Sequence, residues 1–312
     1  MNWIFLVVIA QFLNAFVALV DKRVVSDDRL MPKPFVYAFY TCLISGGWIA
    51  MYFLHYLPLP FLDQFGIPSF ENVVRPSLEV VALSFLAVYT FFTALTSMFT
   101  ALKDHDASDV MPVIGAVSAI AAYVLGHYFL GAKLTPNFLI GVGLLVFGTV
   151  LVSRFRFSRS TAIMAAYSGI FFAFHYVVIK GLFSVTSFDD GFFWSRMAFV
   201  FFALTMLMIP DYFDRVRTQS KATPVSGYGL IIGSKIIAGI ATLMILHATN
   251  RGDVAVVQAL GGLQYVFLII FGIILTILPH KSHKLERYHP DHVLQKALFV
   301  AIIALGFLVL FR

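Results

Sequence analysis

The stretch Val225-Ser-Gly-Tyr-Gly-Leu-Ile-Ile-Gly-Ser-Lys235-Ile-Ile-Ala-Gly-Ile-Ala-Thr-Leu-Met-Ile-Leu-His-Ala248 decides the fold of this chain. Nearly all of its residues are apolar or small. It is also long enough to cross the hydrocarbon core of a bilayer, which takes about 20 helical residues. Lys235 is its only acidic or basic residue apart from His247. The stretch therefore predicts a transmembrane helix that carries a cation near the middle of the membrane.

The rest of the chain has the same character. Of its 312 residues, 60% are hydrophobic and only 12% are charged, whereas soluble domains carry about 25% charged residues. Ten apolar spans are predicted, at 2–21, 35–56, 79–101, 109–130, 136–153, 160–180, 191–209, 225–248, 254–278 and 293–311. We therefore predict an all-α membrane protein of ten transmembrane helices, with its function inside the helical bundle.

Basic residues are distributed unevenly between the loops. With loops numbered along the chain, fourteen Lys and Arg lie in odd-numbered loops and five in even-numbered loops and termini. The positive-inside rule then places the odd-numbered loops in the cytoplasm and both termini outside.

Cysteine labelling tests this orientation. A Cys42→Ser background removes the single native thiol. In intact cells, we expect a new cysteine near Arg156 to resist a membrane-impermeant maleimide, because that loop is predicted to be cytoplasmic. A cysteine near Arg75, in an even-numbered loop, should react and serves as the control. Labelling near Arg156 from outside would reverse the assignment.

The chain repeats itself weakly. A shift of 158 residues aligns identical residues near the start of each half: Ala15, Val20 and Lys22 with Ala173, Val178 and Lys180. A shift of 147 residues aligns four more: Ala101, Asp106, Val110 and Gly115 with Ala248, Asp253, Val257 and Gly262. The basic turn 154–159 is the natural seam between repeats at 1–153 and 160–312. Because each repeat has an odd number of spans, the second is inverted, as in many transporters with a site near the membrane midplane.

The segment Phe129-Leu-Gly-Ala-Lys-Leu-Thr-Pro-Asn-Phe-Leu-Ile-Gly141-Val-Gly-Leu-Leu-Val-Phe-Gly148 resembles the end of the first repeat in the drug/metabolite transporter superfamily, EamA-type branch. The turn at 101–112 is also similar. Lys22 and Lys180 match the Lys that closes the first helix of each repeat, and Arg196 matches an Arg of the second helix.

This resemblance implies a ten-helix transporter working by alternating access, with termini in the cytoplasm, opposite to the charge-based prediction. The chain departs from the family at Ala132, where Glu is usual, and keeps only Gly306 of the counterpart motif in the second half.

Away from the span ends, two cations are predicted within spans, Lys235 and Arg196, whereas every carboxylate is predicted at a span end. A cation at the centre of a membrane helix costs about 2.5–3.5 kcal/mol on insertion scales, so such residues usually serve function. Lys235 is too far from either helix end to reach an interface, and we predict that it contacts an anionic group. Pairing with a carbonyl or a tyrosine is its structural alternative. For Arg196, reaching an interface or pairing with a loop is an equal alternative.

Further candidates are polar side chains that could line a cavity. They are His175, Tyr176, Gln258, Gln264, Tyr265, Tyr89, Thr93 and Ser97. The alternative for the hydroxyls is a bond to their own helix, and for the aromatic and amide residues a satisfied core position. His280, His283, His289 and His292 are predicted to belong to a basic interfacial loop rather than to a metal site, because Pro290 disrupts helical spacing.

No enzyme motif is present: the chain lacks His-Glu-x-x-His, Gly-x-Ser-x-Gly and a phosphate-binding Gly loop. We predict no catalytic residue, metal, cofactor or nucleic-acid partner. The sequence favours a transporter of a small anionic or zwitterionic metabolite in a cell membrane, the inner membrane of a bacterium. A lipid or lipid-linked headgroup is the alternative substrate, and a non-transporting scaffold or receptor is the alternative function. A cavity containing Lys235 would distinguish transport from a scaffold.

Overall fold

The computed structural model describes residues 3–56, 67–131 and 158–277, with scattered positions in 140–147 and 302–309. Regular structure in these residues is helical throughout. The α-helices of the continuous ranges are α1 (Trp3–Ser26), α2 (Pro34–Gly47), α3 (Leu78–Asp104), α4 (Ala107–Leu130), α5 (Arg159–Val185), α6 (Phe188–Leu207), α7 (Pro210–Ala222), α8 (Val225–Arg251), α9 (Val254–Ala259) and α10 (Leu263–Ile277). Three 3-10 segments accompany them, at Trp48–Tyr56, Phe70–Asn72 and Leu260–Gly262.

Eight segments in the described ranges are long and apolar enough to cross a membrane. They are α1, α2 with its 3-10 extension, α3, α4, α5, α6, α8 and Val254–Gly272. These segments coincide with eight of the predicted spans, so the all-α, multi-pass membrane fold is confirmed. The predicted spans 136–153 and 293–311 and the four-histidine loop lie largely outside the described residues, and the count of ten stays a prediction.

Short polar sequences start the long helices. Ser77, Ser158 and Ser187 each accept a hydrogen bond from a backbone N–H in the first turn of α3, α5 and α6, respectively. Such caps satisfy donors that have no partner within the helix. The charged helix α7 differs from these helices, because no side chain among the described residues caps its first turn. The side chains of Gln219, in its last turn, and Thr223, just beyond it, donate to the carbonyl of Leu30.

Helix α1 continues to Ser26, beyond the predicted end of the first span at residue 21. Asp21 therefore lies inside the helix and is only 3% exposed. The prediction that no span carries a carboxylate was wrong. The run Asp21-Lys22-Arg23 reads as a polar helix end, but the helix buries the aspartate and leaves Arg23 at the surface. Asp190 is buried in the same way, near the start of α6.

The two predicted repeat-end lysines make matching contacts. The Lys22 ammonium, in α1, donates to the last carbonyls of α3 at 2.8 and 3.3 Å. The Lys180 ammonium, in α5, donates to carbonyls at the end of α8 at 2.9, 2.8 and 3.1 Å. A cation at a helix C-terminus satisfies unpaired carbonyls and the helix dipole. In each predicted repeat the first helix thus caps the third, which supports the repeats. Their last helices lie outside the described residues, so the division stays a prediction.

Glycines allow two helix pairs to approach closely. A Cβ atom on Gly169 in α5 would lie 2.7 Å from the carbonyl oxygen of Ile114 in α4. A Cβ atom on Gly46 in α2 would lie 2.7 Å from the side chain of Val200 in α6. Such distances exclude a larger residue without a shift of the helices. Close packing of small residues replaces the hydrophobic driving force that lipid removes.

Candidate functional site

A cavity of about 160 Å³ lies in the middle of the bundle. Its walls come from α1, α2, α3, α4, α5 and α8, and from the interrupted span formed by α9 and α10. Lys235 lines it, as the transporter prediction requires. Helices from both predicted repeats contribute to the wall, so movement of one half against the other would change the cavity's shape and access.

Lys235 forms an ion pair with Asp21. Its ammonium nitrogen lies 2.7 Å from the carboxylate Oδ1, and each side chain is 4% exposed. The same oxygen accepts a hydrogen bond from the hydroxyl of Tyr37 at 2.5 Å. The Lys235 ammonium also lies 4.5 Å from the ring centre of Tyr37 and 5.2 Å from that of Phe99. The expectation that Lys235 has no carboxylate partner was therefore wrong.

Four of the remaining polar groups of the cavity are amides. Gln11 and Asn14 of α1, with Gln258 and Gln264 of the interrupted span, line the wall. Gln264 donates from Nε2 to the carbonyl of Asn14 at 3.1 Å, and Ser118 donates to Oε1 of Gln258 at 2.9 Å. Gln11 precedes Asp21 by ten residues, about 15 Å along a helix. The amides and the ion pair therefore mark opposite ends of the cavity.

The amide end surrounds a 3-10 turn within a span whose backbone stays right-handed helical on both sides of the turn. The 3-10 segment Leu260–Gly262 separates α9 from α10, and Gly261 lines the cavity between Gln258 and Gln264. A Cβ atom on Gly261 would lie 3.9 Å from Nε2 of Gln11, an ordinary contact. A 3-10 stretch in the middle of a helical span often marks a hinge.

Four of the predicted site residues line this cavity. They are Lys235, Tyr176, Gln258 and Gln264. Six lie outside its lining: Arg196, His175, Tyr265, Tyr89, Thr93 and Ser97.

The reasons for these other positions differ. Tyr89 is 54% exposed, on the outside of the bundle. Thr93 and Ser97 each donate to a carbonyl of their own helix at 2.9 Å, which is the alternative that the sequence left open. Nδ1 of His175 lies 2.8 Å from the carbonyl oxygen of Ala87 in the core. Tyr265 is a buried core residue.

Several lining residues were missed by sequence reasoning. They are Gln11, Asn14, Asp21, Thr41, Ser45, Ser118 and Thr242. A signal was present, because Asn14 and Asp21 are one heptad apart and Thr41 and Ser45 are four residues apart, which puts each pair on one helix face.

Arg196 is buried beside the cavity without an acidic partner among the described residues. Its side chain is 3% exposed and lies between the rings of Phe192 and Phe199, at 5.0 and 4.6 Å. Nη1 lies 3.5 Å from the carbonyl oxygen of Ser45, at the limit of a hydrogen bond. Within the part of the chain that the structure describes, Nε and Nη2 have no hydrogen-bond partner. The side chain of Arg196 is therefore enclosed by protein.

The described residues contain no group of three His, Cys, Asp or Glu side chains placed to hold a metal ion. The sequence model of the EamA-like transporter family matches residues 1–154. The first half of the chain belongs to the EamA-like transporter family. The predicted resemblance is thereby confirmed, and the family places the protein among multi-pass membrane transporters. Its members are transporters and not enzymes, which agrees with the predicted lack of catalytic residues.

The fold of this EamA-like transporter is shared with a solved structure. That structure, named only "Crystal structure of protein", is similar over 99% of this chain and 96% of its own length. The TM-score is 0.62 at 16% sequence identity, so the likeness concerns the fold. No curated protein sequence matches the chain.

Proposed function

We propose that this EamA-like transporter carries a small zwitterionic metabolite through the central cavity. The observation that carries this proposal is the pair of opposite charges, Asp21 and Lys235, in the cavity wall. A substrate carrying both an ammonium and a carboxylate can replace each half of the pair with a charge of the same sign. A purely anionic substrate would take up Lys235 and leave the Asp21 carboxylate buried without a compensating positive charge, which is costly.

The rest of the wall fits a substrate with an apolar body. Phe91, Phe172 and Met98 line the cavity, and apolar walls with few polar groups are typical of small-molecule sites. The amides at the far end could receive a neutral polar group. The site therefore favours amino-acid-like compounds over phosphorylated ones.

The position of the ion pair supports alternating access as part of this proposal. Asp21 belongs to the first predicted repeat and Lys235 to the second, and their helices α1 and α8 pack together. A substrate that separates Asp21 from Lys235 weakens a contact between the two halves. Binding is thereby linked to the relative movement that opens the cavity to the other side. As part of this proposal, we assign the protein to a cell membrane, the inner membrane of a bacterium, with no nucleic-acid partner.

A thermal-unfolding series on the purified protein tests the substrate class. A ligand that binds only the folded state stabilises it by about 2.7 kcal/mol at one hundred times its dissociation constant. Across a panel of amino acids, we expect at least one to raise Tm by several degrees. Its amide, which lacks the carboxylate, should have little effect, and its N-acetyl derivative, which lacks the ammonium, should raise Tm less than the amino acid itself.

Variants connect this response to the cavity. Asp21→Asn should abolish the amino-acid response, whereas Asp211→Asn, at an exposed acid of α7, should keep it. Equal stabilisation by the amide would contradict the zwitterion proposal. Stabilisation by lipids alone would favour the lipid or lipid-linked headgroup. Binding of an amino acid without uptake into vesicles would favour a receptor or scaffold.

A further inference from the structure

Arg196 has two hydrogen-bond donors that the described structure leaves unsatisfied. Nε and Nη2 have no partner among the described residues, and the side chain is 3% exposed. A buried donor without a partner costs free energy, and a charged donor costs more. A second state in which these donors are occupied would therefore be strongly favoured by the right ligand.

The geometry of the free donors specifies the ligand. Nε and Nη2 lie on the same edge of the guanidinium group, whereas the flanking rings of Phe192 and Phe199 take up room around it. Two parallel donors on one edge match the two oxygens of a carboxylate in a bidentate pair. The ionisable side chains that act most on the charge of Arg196 are Tyr52, Cys42 and Tyr176. All three are ordinarily neutral at pH 7, so they do not compensate the charge.

Nearby acids are already engaged. Asp190, on the same helix, accepts hydrogen bonds from the backbone N–H of Val74 at 2.9 Å and the hydroxyl of Thr186 at 2.6 Å. Asp189 accepts from the side-chain amide of Asn72 at 2.7 Å. Neither carboxylate forms an ion pair with Arg196, so the guanidinium remains available for an external anion.

Ser45 connects Arg196 to the wall of the cavity. Ser45 lines the cavity, and its carbonyl is the weak partner of Nη1. Three residues later, at Trp48, the α-helix changes to a 3-10 helix that runs to Tyr56. A 3-10 run of nine residues is uncommon, and such stretches inside a span often mark hinges. A shift of this segment would open the wall at Ser45.

We propose that Arg196 is a second carboxylate site, reached when the wall at Ser45 opens. This inference rests on the proposed function, because the carboxylate is that of the zwitterionic substrate. Lys235 would receive it first, after the substrate ammonium has taken Asp21. Arg196 would receive it in the other access state, with Nε and Nη2 each donating to one oxygen. A bound carboxylate would satisfy the buried charge of Arg196. The carboxylate-bearing ligand would thereby stabilise this second access state.

Sodium acetate, with acetamide as its neutral isostere, is the probe for this site. Unfolding of the full-length protein is followed at constant ionic strength, with chloride as the reference anion. We expect saturating acetate to raise Tm by at least about 2 °C, and acetamide and chloride to have no comparable effect. A shift with chloride as large as with acetate would overturn the assignment of a carboxylate.

Three substitutions assign the acetate response to Arg196. Arg196→Gln should lose the acetate shift without lowering the Tm measured in its absence, because a desolvated charge has been removed. Arg196→Lys keeps the charge but lacks the planar edge with two donors, so acetate should raise its Tm only slightly. This variant replaces Arg196→Gln in the test if Arg196→Gln does not fold. Arg251→Gln, at an exposed arginine of α8, should respond as wild type. A wild-type acetate shift in Arg196→Gln or Arg196→Lys would refute the proposal.

The outcomes separate this site from the proposed function. If amino-acid stabilisation depends on Asp21 and acetate stabilisation does not depend on Arg196, the zwitterion proposal stands and the second site falls. If acetate stabilisation depends on Arg196 and no zwitterion binds, the anion site stands and the substrate class is wrong.

Discussion

Lys235→Met should destabilise the protein by about 3–5 kcal/mol, the usual result of removing one partner of a buried ion pair. The substitution leaves the Asp21 carboxylate inside the bundle with only the hydroxyl of Tyr37 as a partner among the described contacts. Asp21→Asn should have an effect of similar size, because it leaves the ammonium unpaired. Both single variants should also lose transport, since each removes one of the charges that the substrate is proposed to meet.

The double variant Asp21→Asn/Lys235→Met separates stability from function. It removes both charges at once, so we expect Tm to recover most of the loss seen in either single variant. Transport should remain absent. Lys221→Met, at an exposed lysine of α7, controls for the loss of a positive charge. Its free energy of unfolding should lie within about 0.5 kcal/mol of the wild-type value. Wild-type uptake by Lys235→Met, measured in vesicles, would end the assignment of this pair to the transport site.

Gly239→Ala should destabilise the protein by about 1–3 kcal/mol, because the added methyl group has no room. A Cβ atom at this position would overlap the indole ring of Trp48. Trp48 begins the 3-10 segment of the second span, and Gly239 lines the cavity. The indole ring is rigid, so the whole side chain must move. The displacement should change the cavity wall and reduce transport.

A neighbouring glycine provides the control for this substitution. Gly233 lies in the same helix, and a Cβ atom there would meet no side chain and no other helix within 4 Å. Gly233→Ala should be neutral or stabilising by up to about 1 kcal/mol, because alanine favours the helix. In the double variant Trp48→Ala/Gly239→Ala the clash is absent. Its loss of stability should therefore be smaller than the sum of the two single losses and close to that of Trp48→Ala alone. Equal losses in Gly233→Ala and Gly239→Ala would show that helix propensity, not the Trp48 contact, decides the effect.

The sequence was a good guide to the spans and a poor one to their ends. Long apolar runs leave a helix as the form in which a membrane-embedded backbone can satisfy its hydrogen bonds, so the positions of eight spans followed from composition. Helix ends were less predictable, as α1 shows. The charged run at residues 21–23 resembles a loop, but an ion pair and a hydrogen bond allow the helix to bury Asp21 and to continue to Ser26.

The candidate site shows the same division between local pattern and tertiary structure. Lys235 could be singled out from sequence alone, because a charge in an apolar run is expensive wherever the run is placed. Its partner could not, since Asp21 lies 214 residues away and no local pattern connects them. Thr93 and Ser97 illustrate the opposite error, because a hydroxyl in a span can satisfy itself on its own helix.

The sequence alone identified a multi-pass helical membrane protein and predicted two cations well inside its spans. Both conclusions depend on the cost of placing polar groups in lipid, which is a property of each segment alone. Only the tertiary structure decided that Lys235 is paired in a cavity while Arg196 lies behind its wall beside Ser45. That difference depends on which faces of separate helices meet, and helix packing depends on the shapes of side chains that are distant in the chain.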